Sequence, residues 1–172
     1  MTAEEYSRLE ALSDPFPTPT RRHSRIVKNL VAALGPAVLA HGCEYFAGDA
    51  KIVSPDGDRT IPDFVVTCDE RDGALPDDEE NIVRHPCVIA EVTSPSTEAV
   101  DRGPKLDIYA SIPDVTHYVL IESRRKHVTV FERASDGALR HRPAVQRLVF
   151  PFLPTGISID VLYAGVSVPD LR

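Results

Sequence analysis

Two acidic residues and one lysine stand at positions where a charged group needs a partner. Glu91 lies inside the apolar run Val88–Val92, where an unpaired buried carboxylate would be costly. Asp63 comes directly before a second apolar run, Phe64–Val66. Lys105 follows the Glu91 run, in a segment whose apolar residues recur at helical spacing. If the three side chains meet at the ends of strands, they form a set suited to binding a divalent cation.

Metal-assisted hydrolysis of a phosphate ester is the chemistry expected of such a set. Carboxylates bind Mg²⁺, which prefers oxygen ligands and retains several waters. The metal polarises a phosphoryl oxygen and lowers the pKa of a bound water, while a lysine orients or deprotonates that water and offsets negative charge. The sequence contains no Gly-rich phosphate loop, no Gly-x-Ser-x-Gly and no His-Glu-x-x-His, and its histidines show no ligand spacing. Zinc and nucleophilic-serine chemistry are therefore disfavoured.

Each of these residues also has an ordinary structural interpretation. Glu91 could end its strand and face water, and Asp63 could be a turn residue. Lys105 could extend its ammonium group to solvent from the end of an apolar helical stripe. That stripe consists of Ile108, Tyr109 and Ile112. Asp101, four residues before Lys105, either caps this helix or pairs with the lysine.

The helices that would position these residues are predicted from capping and periodicity. Thr2 and Glu5 form a capping-box pattern that predicts a short helix through about Leu12, followed by a proline-rich extended connection. A second helix is predicted from about Thr20 to Leu34, stopping at Gly35-Pro36, with His23 at the start of its buried face. A third is predicted over 101–111.

Strand-like runs account for most of the remaining chain. A strand or bent pair is predicted over 43–53, a strand over 61–68, a strand covered on both faces over 87–92, a hairpin of 117–122 with 128–133, and an edge strand or docking segment over 157–162. The acidic segment 69–80 is predicted to be a solvated or mobile loop. This order of helices and strands predicts a mixed α/β layer with a central sheet.

Length and composition place the chain among single-domain globular proteins. It has 172 residues, of which 42% are hydrophobic and 26% charged, with a net charge of −7. Three cysteines, an odd number at wide spacing, suit neither a disulfide framework nor a zinc site. No secretory signal or membrane span is visible, so a cytoplasmic location without membrane association is predicted.

The residues that carry the chemistry resemble one known family. The matching segments are Pro62-Asp63-Phe64-Val65-Val66, Glu91-Val92-Thr93-Ser94-Pro95-Ser96-Thr97, Asp101-Arg102, Lys105 and Tyr109. This pattern resembles the Uma-two family of putative restriction endonucleases, within the PD-(D/E)XK nuclease superfamily. The resemblance runs from about His23 to Phe131 and more loosely through the tail.

The resemblance implies a restriction-endonuclease-like α/β fold, a mixed sheet flanked by helices. It makes Asp63 and Glu91 metal ligands, with the backbone carbonyl of Val92 as a third. The superfamily lysine belongs two residues after the Glu, where Thr93 stands, and Lys105 is its natural substitute. Supporting roles fall to His23, Asp101 and Tyr109, and either His23 or an N-terminal acid that this chain lacks completes the site.

The function implied is a Mg²⁺-dependent DNA endonuclease, with Mn²⁺ as a substitute metal. Double-stranded DNA is the expected partner, and a homodimer is expected because cutting both strands needs two active sites. Residues that could meet phosphates are Arg21, Arg22, Arg25, Lys28 and Arg124-Arg125-Lys126. A non-catalytic binding or regulatory protein with a nuclease fold is the alternative, and a phosphoesterase acting on a small nucleotide is a third hypothesis.

A single nuclease-like domain over 1–172 is predicted, with an N-terminal helix and connection (1–19), a core (20–133) and a C-terminal extension (134–172).

Overall fold

The computed structural model describes residues 19–74, 76, 80–94 and 97–168. The predicted helix of residues 2–12 lies outside the described residues. The helices are α1 (Arg21–Ala40), α2 (Glu70–Gly73), α3 (Glu98–Arg102) and α4 (Pro104–Ser111), with a 3₁₀ turn at Ile159–Val161. The strands are β1 (Glu44–Phe46), β2 (Lys51–Val53), β3 (Arg59–Thr60), β4 (Phe64–Thr67), β5 (Ile82–Val83), β6 (Pro86–Thr93), β7 (His117–Glu122), β8 (Val128–Arg133), β9 (Leu139–Arg142), β10 (Arg147–Phe150) and β11 (Leu153–Ser158).

A six-stranded mixed sheet, in the order β1-β4-β6-β7-β8-β9, forms the centre of the fold. Within this sheet, only β6 and β7 pair in parallel, and α3 and α4 lie in the crossover between them. The other neighbours in this sheet are antiparallel. The predicted mixed α/β sheet flanked by helices is therefore confirmed.

Both faces of the central sheet are covered, which explains the nearly continuous apolar sequence of β6. One face packs against α1 and the C-terminal β10–β11 hairpin, around the fully buried Ile26 and Leu30. The other packs against α4 and the small sheet of β3, β2 and β5, around Tyr109 and Ile52. The predicted β7–β8 hairpin forms with the expected bounds.

Helix α1 continues past the Gly35-Pro36 pair, so the predicted stop at Leu34 is wrong. Pro36 lies inside the helix, and the buried Val38 supplies core packing beyond it. A Cβ atom on Gly35 would lie 2.9 Å from the ring of Tyr45, so this glycine serves close packing rather than termination. The helix ends at Ala40, and Gly42 reverses the chain with a φ of 76°.

The predicted helix over 101–111 is divided into α3 and α4 at Gly103. The backbone of Gly103 leaves helical geometry, with φ −117° and ψ −102°. Pro104 has no N–H to continue the helical ladder and occupies the first position of α4, a place that suits proline. Asp101 and Lys105 therefore lie on two different helices, which meet at the non-helical residue Gly103.

The cysteines also differ from the expectation drawn from their spacing. Cys43 and Cys68 form a disulfide, and Sγ of Cys87 lies 3.7 Å from Sγ of Cys68. The cause is strand register, since Glu44 pairs with Thr67 and the two cysteines occupy the next opposed positions. Sequence separation gives no sign of this cross-strand pairing.

Part of the acidic segment is ordered around a buried carboxylate. Asp72, in α2, accepts hydrogen bonds from the Thr67 hydroxyl and from the N–H groups of Arg84 and His85, at 2.9–3.0 Å. This acid therefore anchors the segment to β4, and the prediction of a wholly solvated loop is wrong there.

The chain after residue 133 belongs to the core. Strand β9 is part of the central sheet, although the sequence predicts no strand there, and Leu148, Phe150 and Leu162 are buried in the face that packs on α1. The segment after residue 133 thus packs with the central sheet and with α1. Within the described ranges, no helix combines the length and apolar character needed to cross a membrane.

Candidate active site

Asp63 and Glu91 face each other at the start of β4. The last backbone pair between β4 and β6 is Phe64 with Ala90, so Asp63 and Glu91 stand at the next opposed positions, on one face of the sheet. The backbone N–H of Asp63 points to Oε2 of Glu91 at 3.4 Å. The Val92 N–H donates to Oδ2 of Asp63 at 2.7 Å. The turn before β4 and the strand β6 thus fix both acids.

Glu91 lies within the sheet, with a side chain only 4% exposed. Its Oε1 accepts hydrogen bonds from the Lys105 ammonium group at 2.9 Å and from the Tyr109 hydroxyl at 2.8 Å. Burial raises the pKa of Glu91 to about 7; the nearby charge of Lys105 opposes this shift and that of Asp63 adds to it. The reading of Glu91 as a solvent-facing strand end is therefore wrong.

Lys105 joins two buried carboxylates. Its Nζ lies 2.9 Å from Oε1 of Glu91 and 2.9 Å from Oδ1 of Asp101, whose side chain is 2% exposed. Burial favours the neutral amine, but the two carboxylates outweigh it and the pKa of Lys105 is raised. The lysine consequently remains a cation at neutral pH and does not extend into solvent.

His23 completes the group from the other side of the sheet. The N-cap residue Thr20 accepts a hydrogen bond from the His23 N–H and fixes the first turn of α1. From that turn His23 Nε2 reaches Oδ2 of Asp63 at 3.1 Å. This hydrogen bond raises the pKa of His23 against the effect of burial. The structure thus brings the six predicted side chains together: Asp63, Glu91, Lys105, His23, Asp101 and Tyr109.

Two oxygens of this group are available to a cation. Oδ1 of Asp63 has no hydrogen-bond partner among the described residues, and Oε2 of Glu91 has only the long contact from the Asp63 N–H. The Asp63 side chain is 24% exposed, which opens the pair to solvent. The Val92 carbonyl leaves the strand on the same side as its N–H, beyond the start of β4.

The donor set suits a hard cation that keeps part of its water shell. All the available donors are oxygens, the type Mg²⁺ prefers, and few are supplied by the protein. No group of three or more His, Cys, Asp or Glu side chains is arranged as a metal cage within the described part of the chain. The residues thus fit a site completed by water and substrate oxygens rather than a closed structural site.

A further buried acid, Glu122, lies at the same end of the sheet and was not predicted from the sequence. Glu122 ends β7 opposite Thr93 and is 7% exposed. It pairs with Arg102 at 2.8 Å and with Arg125. The sequence does contain a pattern that indicates this buried acid. Glu122 ends the apolar run Tyr118–Ile121, much as Glu91 interrupts the apolar run Val88–Val92. Unlike Glu91, this carboxylate is neutralised by arginines.

Comparison with known proteins places the chain in a family of mixed α/β proteins. The family model Uma2, described as "Putative restriction endonuclease", matches residues 12–162. The chain belongs to this family. The resemblance read from the residues around Asp63 and Glu91 is thereby confirmed at the level of family.

Relatives support the same placement. An uncharacterized protein of Synechocystis sp. is 34% identical over 128 residues, which is 73% of this chain and 65% of that protein. A second uncharacterized protein of Synechocystis sp. is 26% identical over 123 residues, which is 71% of this chain and 68% of that one. The chain thus spans slightly less than two thirds of the first relative.

A solved structure shares the fold. It is the structure of a putative nuclease belonging to DUF820 from Anabaena variabilis, and it matches with a TM-score of 0.69 and 19% identity, covering 88% of this chain and 85% of that one. At this identity the likeness concerns the fold.

Proposed function

We propose that the protein is a Mg²⁺-dependent endonuclease that hydrolyses phosphodiester bonds in DNA. The observation that carries the proposal is the meeting of Asp63 and Glu91 at one end of two adjacent strands, with Lys105 bound to Glu91. Membership of the Uma2 family supports the same reaction class. Duplex DNA as the substrate, and a homodimer that presents two sites to it, are parts of this proposal.

Asp63 and Glu91 would hold the metal through Oδ1 and Oε2, with the Val92 carbonyl as a third oxygen. When bound, Mg²⁺ polarises the scissile phosphoryl group and lowers the pKa of an attacking water. His23 and the Val92 N–H both bind Oδ2 of Asp63, so they orient the carboxylate and leave Oδ1 open. Tyr109 orients Glu91 in the same way through Oε1.

Lys105 acts as a fixed cation rather than as a proton acceptor. Its raised pKa keeps it protonated at neutral pH, which makes it a poor general base. Its ammonium group can instead donate to an attacking water and offset the negative charge that develops on the phosphate. Asp101 binds this ammonium group together with Glu91 and so helps to fix its position.

Cleavage of a supercoiled plasmid by the purified full chain tests the proposal. We expect nicked and linear products with Mg²⁺ or Mn²⁺, none with EDTA, and none from Asp63→Asn. Asp56→Asn is the matched control, because Asp56 is an exposed turn residue and the change in charge is the same. An inactive parent in both metals, or an active Asp63→Asn variant, would overturn the proposal.

A non-catalytic nuclease-fold protein is the second candidate. The observation that favours it is that Lys105 already occupies Oε1 of Glu91. Thermal unfolding separates the two functions. Protection by Mg²⁺ that disappears in Asp63→Asn supports the nuclease, whereas a stable fold indifferent to Mg²⁺ supports the binding protein.

A further inference from the structure

A groove of about 540 Å³ beside the active site is lined by four arginines. Arg21, Arg22 and Arg25 come from the first turns of α1, and Arg124 comes from the turn between β7 and β8. The positive charge at this groove therefore comes from two elements that are far apart in sequence. It stands out in a chain whose net charge is −7.

The four groove arginines lack ion-pair partners within the part of the chain that the structure describes. Their neighbours in the same turn differ, since Arg125 pairs with Glu122 and Lys126 pairs with Asp160. Of the three basic residues in this turn, only Arg124 faces the groove. Unpaired like charges gathered in one place raise the free energy of the isolated protein and favour binding of an anion.

The groove lies at the same end of the sheet as the carboxylates. His23, which binds Asp63, stands between Arg22 and Arg25 on the first turns of α1. Ser123, which lines the groove, donates its N–H to the carbonyl of Thr93, two residues after Glu91. A strand of nucleic acid that reaches Asp63 can thus also reach the groove.

We infer that this arginine groove binds successive phosphates of the DNA strand next to the scissile bond, an inference that rests on the proposed function. A guanidinium group presents five N–H donors in a planar fork that fits phosphate oxygens. Four such groups offer more donors than the two non-bridging oxygens of one phosphodiester accept, which favours a run of phosphates over a single anion. Contacts to backbone phosphates position a duplex without reading its bases.

The test compares two double variants that remove equal charge. Arg25→Gln/Arg124→Gln alters the groove, whereas Arg140→Gln/Arg142→Gln alters exposed arginines of the β8–β9 region, at side-chain exposures of 66% and 65%. Binding of a short fluorescein-labelled duplex is followed by anisotropy in EDTA over a range of KCl concentrations. The groove variant should bind the duplex at least about tenfold more weakly than the parent. In a plot of the logarithm of the binding constant against the logarithm of the KCl concentration, the steepness of its slope should fall by about 2, since each lost phosphate contact removes about 0.9 from that slope. The control should match the parent.

A third variant separates loss of charge from loss of fold. Arg25→Lys/Arg124→Lys keeps both positive charges and should retain most of the affinity and salt dependence. Equal affinities of the groove variant, the control and the parent would overturn the inference, as would a parent that does not bind the duplex. A parent that binds through the groove but leaves plasmid uncut in Mg²⁺ would contradict the proposed nuclease while the groove stands.

Discussion

Replacing Glu91 with glutamine separates the electrostatic cost of the site from its chemistry. Burial raises the pKa of this carboxyl from 4.5 to about 7, so between these pH values the folded chain holds a proton that the unfolded chain has lost. Stability therefore falls as the pH rises through this window. A tenfold change in a protonation equilibrium is worth about 1.4 kcal/mol, so at alkaline pH ionised Glu91 costs the fold about 3 kcal/mol relative to its protonated form.

Glu91→Gln keeps an acceptor for Lys105 and Tyr109 but carries no charge. In EDTA we expect the variant and the parent to have similar stability near pH 5. Near pH 8.5 we expect the variant to unfold about 6–12 °C higher, because 1 kcal/mol shifts the Tm of a chain this size by about 2–4 °C. The hydrogen bond to Asp63 also raises the pKa of His23, so the difference between variant and parent at each pH is the quantity to compare.

The matched control is Glu122→Gln at the same end of the sheet. Glu122 is buried as well, but its pKa is lowered, because the hydrogen bond and charge of Arg125 outweigh burial. A lowered pKa gives stability that is present at high pH, so this variant should be less stable than the parent near pH 8.5. Equal effects of the two substitutions, or a Glu91→Gln variant that is less stable at high pH, would refute the reasoning.

Three further changes test other parts of the site and fold. Lys105→Met should retain Mg²⁺ protection against unfolding but lower plasmid turnover by roughly 10²–10⁴-fold, and parental turnover would contradict the role of its charge. Tyr109→Phe should destabilise the fold by about 1 kcal/mol in urea unfolding, through loss of the hydrogen bond to Glu91; an unchanged unfolding midpoint would show that this bond contributes nothing. Gly35→Ala should fail to give the stabilisation of about 1 kcal/mol usual within a helix, because its Cβ would meet the Tyr45 ring, and a clear rise in Tm would disprove that constraint.

Local pattern predicted the elements whose stabilising contacts are close in sequence. The β7–β8 hairpin and the buried strand β6 follow from runs of apolar residues bounded by turn residues. The alignment of Lys105 with Tyr109 follows from helical spacing. The family resemblance brought Asp63, Glu91 and His23 into one site, which periodicity could not do because these residues are far apart in the chain.

The remaining features depend on contacts distant in sequence. Gly35 and Pro36 read as a helix end, yet the packing of Val38 and the approach of Tyr45 keep the helix intact beyond them. The Cys43–Cys68 disulfide depends on the register of β1 with β4. The raised pKa of Glu91 depends on how completely the sheet and α4 bury its side chain. The extent of that burial cannot be predicted from residue type alone.

A crystal structure of the full chain grown with Mn²⁺ would test whether Asp63 and Glu91 share one divalent cation. Data collected at the manganese absorption edge would show each bound ion as an anomalous difference peak. We expect a peak in contact with both carboxylates in the parent, and no such peak in crystals of Asp63→Asn grown in the same way. Crystals saturated with Mn²⁺ that show no peak at these carboxylates, or a peak that persists without Asp63, would contradict this expectation.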